Sequence, residues 1–201
     1  HHLTLSPSHQ ALIGAATAHA TDVKVQARVV RALTNLSADG ANKARIGSEE
    51  GVATLVQASL AHGDSAAVQA GVAGALRNLS VSAEVAQLIV ERDGIRALIA
   101  AATTHAANAI VQAGHSTACS RRKDSHTTSP RPWSHGKYLN PIVQAGVAGA
   151  LRNLSASEAT RQAIVAGGGM EALAMATQLH ADNERLQAEV AGALRNLAGE
   201  A

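Results

Sequence analysis

Three observations predict an all-α solenoid built from about four units: a recurring string, a constant spacing between its copies, and apolar residues at helical intervals. The string Val68-Gln-Ala-Gly-Val-Ala-Gly-Ala-Leu-Arg-Asn-Leu-Ser80 returns letter for letter as Val143 to Ser155. A close variant runs from Leu186 to Ala198, and a looser one from Val25 to Ser37. The equivalent residues Asn35, Asn78, Asn153 and Asn196 lie 43, 75 and 43 positions apart, so the middle interval is longer by 32. The excess has a place, because Ile110-Val-Gln-Ala-Gly114 reappears as Ile142-Val-Gln-Ala-Gly146. Cutting out 115–146 restores the register.

The units then run 8–50, 51–93, 94–114 joined to 147–168, and 169–201, the last incomplete, with a disordered stub at 1–7. In the second unit Gly51 opens a segment with Val52, Leu55, Val56 and Leu60 at helical spacing. Gly63-Asp64 interrupts it, and Val68, Val72, Leu76 and Leu79 then mark one face of the next helix. A short third helix spans about Glu84 to Glu91 and stops at Asp93-Gly94. No segment alternates with period two, so strands are not expected. The segment 97–120 carries no charge over 24 positions, yet it is rich in Ala, Thr, His and Asn and keeps the repeat register. It reads as helix, loop and helix rather than a membrane span.

The order of short helix, Gly turn, "GIRALIAAA", loop and "VQAGVAGALRNLS" resembles the three-helix armadillo repeat. It is similar to the vacuolar-protein-8 and catenin-like branch, whose third helices read much like "AxGALxNLS". "NLSADGANKARI" (Asn35 to Ile46) also resembles the armadillo arrays attached to plant U-box ubiquitin ligases. The resemblance spans everything but the first seven residues and the insert. It implies a right-handed solenoid whose third helices line a concave groove, and function then depends on the groove rather than on the fold.

Charge bears on partners. The insert holds Arg121, Arg122, Lys123, Arg131 and Lys137 against Asp124. Subtracting these five from 17 basic residues, and that one from 15 acidic residues, leaves 12 and 14. The array itself is therefore slightly acidic, and the overall +2 does not mark a nucleic-acid surface. The single cysteine, Cys119, forbids an intramolecular disulfide and fits a reducing compartment, hence the cytoplasm, with the nucleus as alternative. Both ends look cut, which suggests a monomer or a fragment of a longer array.

Four constellations are candidates for chemistry. The Asn row (Asn35, Asn78, Asn153, Asn196) resembles the one that hydrogen-bonds the backbone of an extended peptide in nuclear-import receptors, a task suited to an amide with donors and an acceptor. Four helices about 8–10 Å apart would give a groove of roughly 30 Å, room for about ten extended residues. The alternative is that each Asn ties its helix to a neighbour. The import receptors carry Trp four residues before that Asn; here the positions are Arg31, Gly74, Gly149 and Gly192, so recognition of localisation peptides by Trp slots is not expected. Gly inside a helix costs about 1 kcal/mol relative to Ala. Gly71, Gly74, Gly146, Gly149 and Gly192 therefore imply either close helix packing or close approach of a ligand backbone.

Arg77, Arg152 and Arg195 form an adjacent row, with Arg28 and Arg31 making the first unit more basic and Glu189 making the last more acidic. Such a row suits an acidic, extended partner segment through bidentate pairs; solvated edge charges are the alternative. His19, His62, His105 and His180 recur at one position, too far apart to share a metal ion, and a His there complements a helix C-terminus. The sequons at Asn35, Asn78 and Asn153 lie within helices and are discounted as glycosylation sites. The basic insert 115–146 predicts a flexible loop, with Pro141 in the first turn of a restarted helix. Its foreign composition suggests translated non-coding sequence or a local duplication, with a regulatory loop as the other reading. No nucleophile–base set, carboxylate pair, phosphate loop or metal quartet appears, so neither catalysis, cofactor nor metal is expected. The expected function is a non-catalytic scaffold that binds a protein or peptide segment. The alternatives are the substrate-binding part of a ubiquitin ligase or, disfavoured by the missing Trp row, an import-type adaptor.

Overall fold

The computed structural model describes residues 7–119 and 136–199. Among them are eleven α-helices and no strand. They are α1 (Pro7–Ala18), α2 (Val23–Leu36), α3 (Gly40–Ile46), α4 (Glu49–Ala61), α5 (Ala66–Leu79) and α6 (Ala83–Glu91), followed by α7 (Gly94–Cys119), α8 (Gly136–Leu154), α9 (Glu158–Ala166), α10 (Gly169–Leu179) and α11 (Glu184–Leu197). Polar caps start many of them. The side chains of Asp22, Asp39, Ser48, Ser65, Ser157 and Asn183 each accept from backbone N–H groups in the first turn, which would otherwise lack partners. At Asp22 the bonds from the Val25 and Lys24 N–H groups hold the carboxyl below its ordinary pKa.

The repeated string occupies α2, α5, α8 and α11, and these four helices pack side by side in that order. A second row, α1, α4, α7 and α10, lies beside the first, each helix against its partner. The short helices α3, α6 and α9 bridge the rows. Between the rows runs one continuous core of Leu, Val, Ile and Ala, with Leu33, Leu55, Leu76, Leu98, Leu151 and Leu173 almost fully buried. Each buried leucine contributes about 1.5–3 kcal/mol. In α5 the apolar face expected from spacing, Val68, Val72, Leu76 and Leu79, is the buried face. This stacking is compatible with an α-solenoid.

A glutamine joins the rows at every level, buried in three of the four and half-buried in the last. Gln26 Nε2 donates to the carbonyls of Ala16 (2.7 Å) and His19 (3.0 Å) at the end of α1. Gln69 does the same to Ser59 (2.8 Å) and His62 (3.0 Å), and Gln187 to Thr177 and His180, both at 3.0 Å. Gln144 donates to the Ala102 carbonyl at 2.7 Å. Those at the ends of α1, α4 and α10 are carbonyls that a helix C-terminus leaves unpaired, whereas Ala102 lies inside α7. Gln26, Gln69 and Gln144 are at most 2% exposed, so each clamp works where water cannot replace it.

The region around the insert differs from expectation. In place of a helix, loop and helix over 97–120, α7 runs unbroken from Gly94 to Cys119 and takes in the first Ile-Val-Gln-Ala-Gly copy. Ala106-Ala107 stands where the other units place Ala20-Thr21, Gly63-Asp64 and Ala181-Asp182, and two alanines give a helix no reason to stop. Helix α8 begins at Gly136, so Pro141 lies inside it rather than in its first turn. The expected flexible loop thus overlaps helix at 115–119 and 136–146, while 120–135 and the stub at 1–6 lie outside the described residues. The second copy, through Gln144, is the one that clamps α7. In the other clamps donor and first acceptor are ten residues apart; here the separation is 42.

Gly94 and Gly169 open α7 and α10 because the preceding short helix meets them closely. A Cβ on Gly94 would stand 2.7 Å from the Ile89 carbonyl oxygen, and one on Gly169 would stand 2.8 Å from that of Ile164. Gly94→Ala should therefore cost roughly 2–3 kcal/mol in urea unfolding, whereas Gly63→Ala should change stability by less than about 1 kcal/mol. No atom lies within 4 Å of a Cβ at Gly63. Equal losses at the two sites would refute the close-approach account.

Deleting 115–146 should keep the helical circular-dichroism signal and a single cooperative transition, because Gln112 then takes the seat of Gln144. Shortening the closed segment from 42 to ten residues should add about 1 kcal/mol, at about 0.6 kcal/mol per halving of loop length. A noncooperative melt would show that the segment is part of the folded core.

Candidate interaction surface

The Asn row sits where the string ends, and its amides are already engaged. Asn78 Nδ2 donates to the Thr34 carbonyl (3.3 Å) and to Ser37 Oγ (3.1 Å). Asn153 Nδ2 donates to the Arg77 carbonyl at 3.0 Å, and Asn196 Nδ2 to that of Arg152 at 3.1 Å. The same carbonyls accept from Ser37, Ser80 and Ser155, three residues downstream of each, so both lone pairs at these helix ends are used. Each amide thus ties its helix to the previous one in the row. Its Oδ1 forms no hydrogen bond with a described residue and stays available to a ligand. Asn35, the first of the row, is exposed, and its side chain has no hydrogen-bond partner among the described residues. The serines of the sequons are buried within the row.

The helical glycines face the preceding helix. A Cβ on Gly71 would meet Val30 Cγ2 at 2.5 Å, one on Gly74 the Thr34 methyl at 3.0 Å, and one on Gly146 the Ala73 Cβ at 2.9 Å. Of the two explanations for these residues, close helix packing is the one the geometry displays. Gly149 and Gly192 serve a further purpose. Arg77 lies across Gly149, its Cδ 2.6 Å from a notional Cβ, and Arg152 lies across Gly192, its Nε at 2.7 Å.

Arg77 crosses α8 in this way to reach Glu189 on α11, and Arg152 Nη1 donates to the other oxygen of the same carboxylate at 3.1 Å. Glu189 is 8% exposed, so one buried carboxylate pairs with two members of the Arg row and offsets one of their two charges. Sequence reasoning gave Glu189 only a local charge. A reader of the string alone could have noted that it replaces Gly71 and Gly146 in the last unit. Arg28, Arg31 and Arg195 are exposed and make no ion pair with described residues.

The histidines link layers as well. His62 Nε2 donates to the Ala20 carbonyl at 2.7 Å, and His105 Nε2 to that of Gly63 at 3.1 Å. Burial lowers the pKa of His180 and favours its neutral ring. Among the described residues no group of three or more His, Cys, Asp or Glu could hold a metal, and no helix is long and apolar enough to cross a membrane.

Two open depressions flank the Arg and Asn rows. One, about 370 Å³, is lined by Thr34, Gly74, Arg77, Asn78, Ile142 and Arg185, among others. The second, about 530 Å³, includes Val81, Gln87, Arg152, Asn153, Thr160 and Asn196. Ile142 and Val81 are 54% and 69% exposed, which gives each depression an apolar contact beside its amides.

No family model and no curated protein matches the chain. Among solved structures, the crystal structure of an engineered protein, a Northeast Structural Genomics Consortium target, superposes with a TM-score of 0.41 at 20% identity. The match covers 96% of this chain and 98% of that one.

The shared carboxylate can be tested by a double-mutant cycle on Arg152→Ala and Glu189→Gln. Side-chain exposures of 46% and 11% place the pair between surface and core. The expected coupling is about 0.5–1.5 kcal/mol, reduced in high salt. Strictly additive effects would mean that the bridge contributes nothing in solution.

Proposed function

We propose that the chain is an armadillo-type, non-catalytic protein-interaction scaffold. It holds an extended or helical segment of a partner protein along the face formed by α2, α5, α8 and α11, and the lone cysteine favours work in the cytoplasm. The observation that carries this reading is the pair of open depressions beside the Asn row, where fixed amides stand next to exposed Ile142 and Val81. An amide already anchored through one N–H keeps Oδ1 and the other N–H in a set direction, which lowers the entropy lost on binding a peptide backbone. Packing of the row against itself leaves this face as a continuous strip rather than a closed pocket, a shape suited to a chain segment and not to a small substrate.

The test is a photo-crosslinking residue placed at position 142 in the depression or at exposed position 96 on α7, with adducts mapped by mass spectrometry after exposure to cell lysate. Position 142 should capture short, defined partner segments, and Arg185→Glu should reduce the yield. Adducts confined to position 96 would sink the reading.

A further inference from the structure

In the middle of the Arg row two arginines share one carboxylate, whereas the cations of α2 have no such partner among the described residues. Lys24, Arg28, Arg31 and Asn35 occupy one stripe of α2 at helical spacing, and all four are exposed. The three cations form no ion pair with described residues. The nearest acids in sequence, Asp22 and Asp39, accept from the backbone N–H groups of Lys24, Val25, Ala41 and Asn42. Helix α1, packed beside α2, carries no acidic residue.

The direction of the stripe follows from the row. Arg28 occupies the position of Gly71 and Gly146, and Arg31 that of Gly74, Gly149 and Gly192, each of which abuts the preceding helix. On α2 these positions therefore mark the flank opposite α5, where no described element packs. Arginines replace the glycines that allow close approach, so a neighbour there must stand further off and supply negative charge. Glu189 gives the internal precedent: at the position equivalent to Arg28, a carboxylate meets guanidinium groups across the row. A helix laid alongside repeats the period of the stripe, so carboxylates at its own i, i+4 and i+7 positions fall opposite all three cations. The unpartnered amide of Asn35 adds a donor and an acceptor at the far end.

We propose that this flank of α2 docks an acidic helical segment of another protein, paired through Lys24, Arg28 and Arg31. The surface is separate from the depressions around Ile142, so this inference and the groove reading fail independently.

The test is fluorescence anisotropy with the full chain and a labelled Ala-based helical peptide of about 20 residues carrying Glu at that spacing. Binding should weaken as salt rises. The Lys24→Glu/Arg28→Glu/Arg31→Glu variant should bind at least about tenfold more weakly, and the corresponding Gln variant should fall between. Circular dichroism verifies that both stay folded. Arg96→Glu and Ile142→Asp should bind as the unaltered chain does. The proposal is overturned if the reversed variant binds normally, or if a proline-broken peptide of equal composition binds as well. It is equally overturned if Ile142→Asp abolishes binding, which would move the acidic segment into the groove and leave the groove reading standing.

Discussion

Everything in this molecule depends on how a polar side chain is tolerated in the middle of an apolar helix face. The glutamine of the repeated string is buried or half-buried between two rows of helices, and its amide nitrogen reaches carbonyls of the neighbouring helix, at that helix's open end in three of the four units. A buried amide without partners would cost about 1–3 kcal/mol, so these helices can pack only where the carbonyls are within reach. The clamp thus fixes the axial position of one row on the other, which apolar contacts between Ala, Val and Leu would leave loosely specified. Hydrophobic burial supplies most of the stabilisation, and the glutamine selects the register.

Along the row a different constraint operates. Successive helices approach closely enough for glycine to face alanine, valine or threonine, and each Asn then reaches the preceding helix end. The same clearance gives the arginines a path over the next helix. A side chain at position 149 would force Arg77 off its present path to Glu189. The cost of helical glycine is therefore offset twice, by packing and by an ion pair that spans three helices. Because Glu189 shields two arginines, the face is less basic in its middle than its composition implies, with unpaired charge left at Lys24, Arg28, Arg31 and Arg195.

The all-helical character was legible in the sequence, because identical strings with apolar residues every three to four positions admit no strand. The placement of Asn78, Asn153 and Asn196 on one helix row was legible too, as was the need to explain the glycines. The features that escaped are longer in range. Gln69 and its equivalents carried no expectation, since a polar residue inside an apolar string gives no hint that its acceptors lie on another helix. The Glu189 bridge was hidden because it joins residues 112 positions apart across an intervening helix. The unbroken α7 was missed because register with the other units predicted a turn, whereas the local pair Ala106-Ala107 lacks the residues that make one.

The duplicated Ile-Val-Gln-Ala-Gly brings these constraints together. Two copies of the seating element exist, and it is Gln144 of the second that bonds α7, at the Ala102 carbonyl. Helix α8 must also present Val147, Leu151 and Leu154 to the core and Gly146 and Gly149 to α5, and these residues continue from the second copy without interruption. Seating the first copy instead would separate the clamp from the apolar face that it positions, leaving about three large side chains unburied at roughly 1.5–3 kcal/mol each. Loop-closure entropy grows only slowly with length, so lengthening the connection between Ala102 and Gln144 costs little beside the burial that the second copy retains.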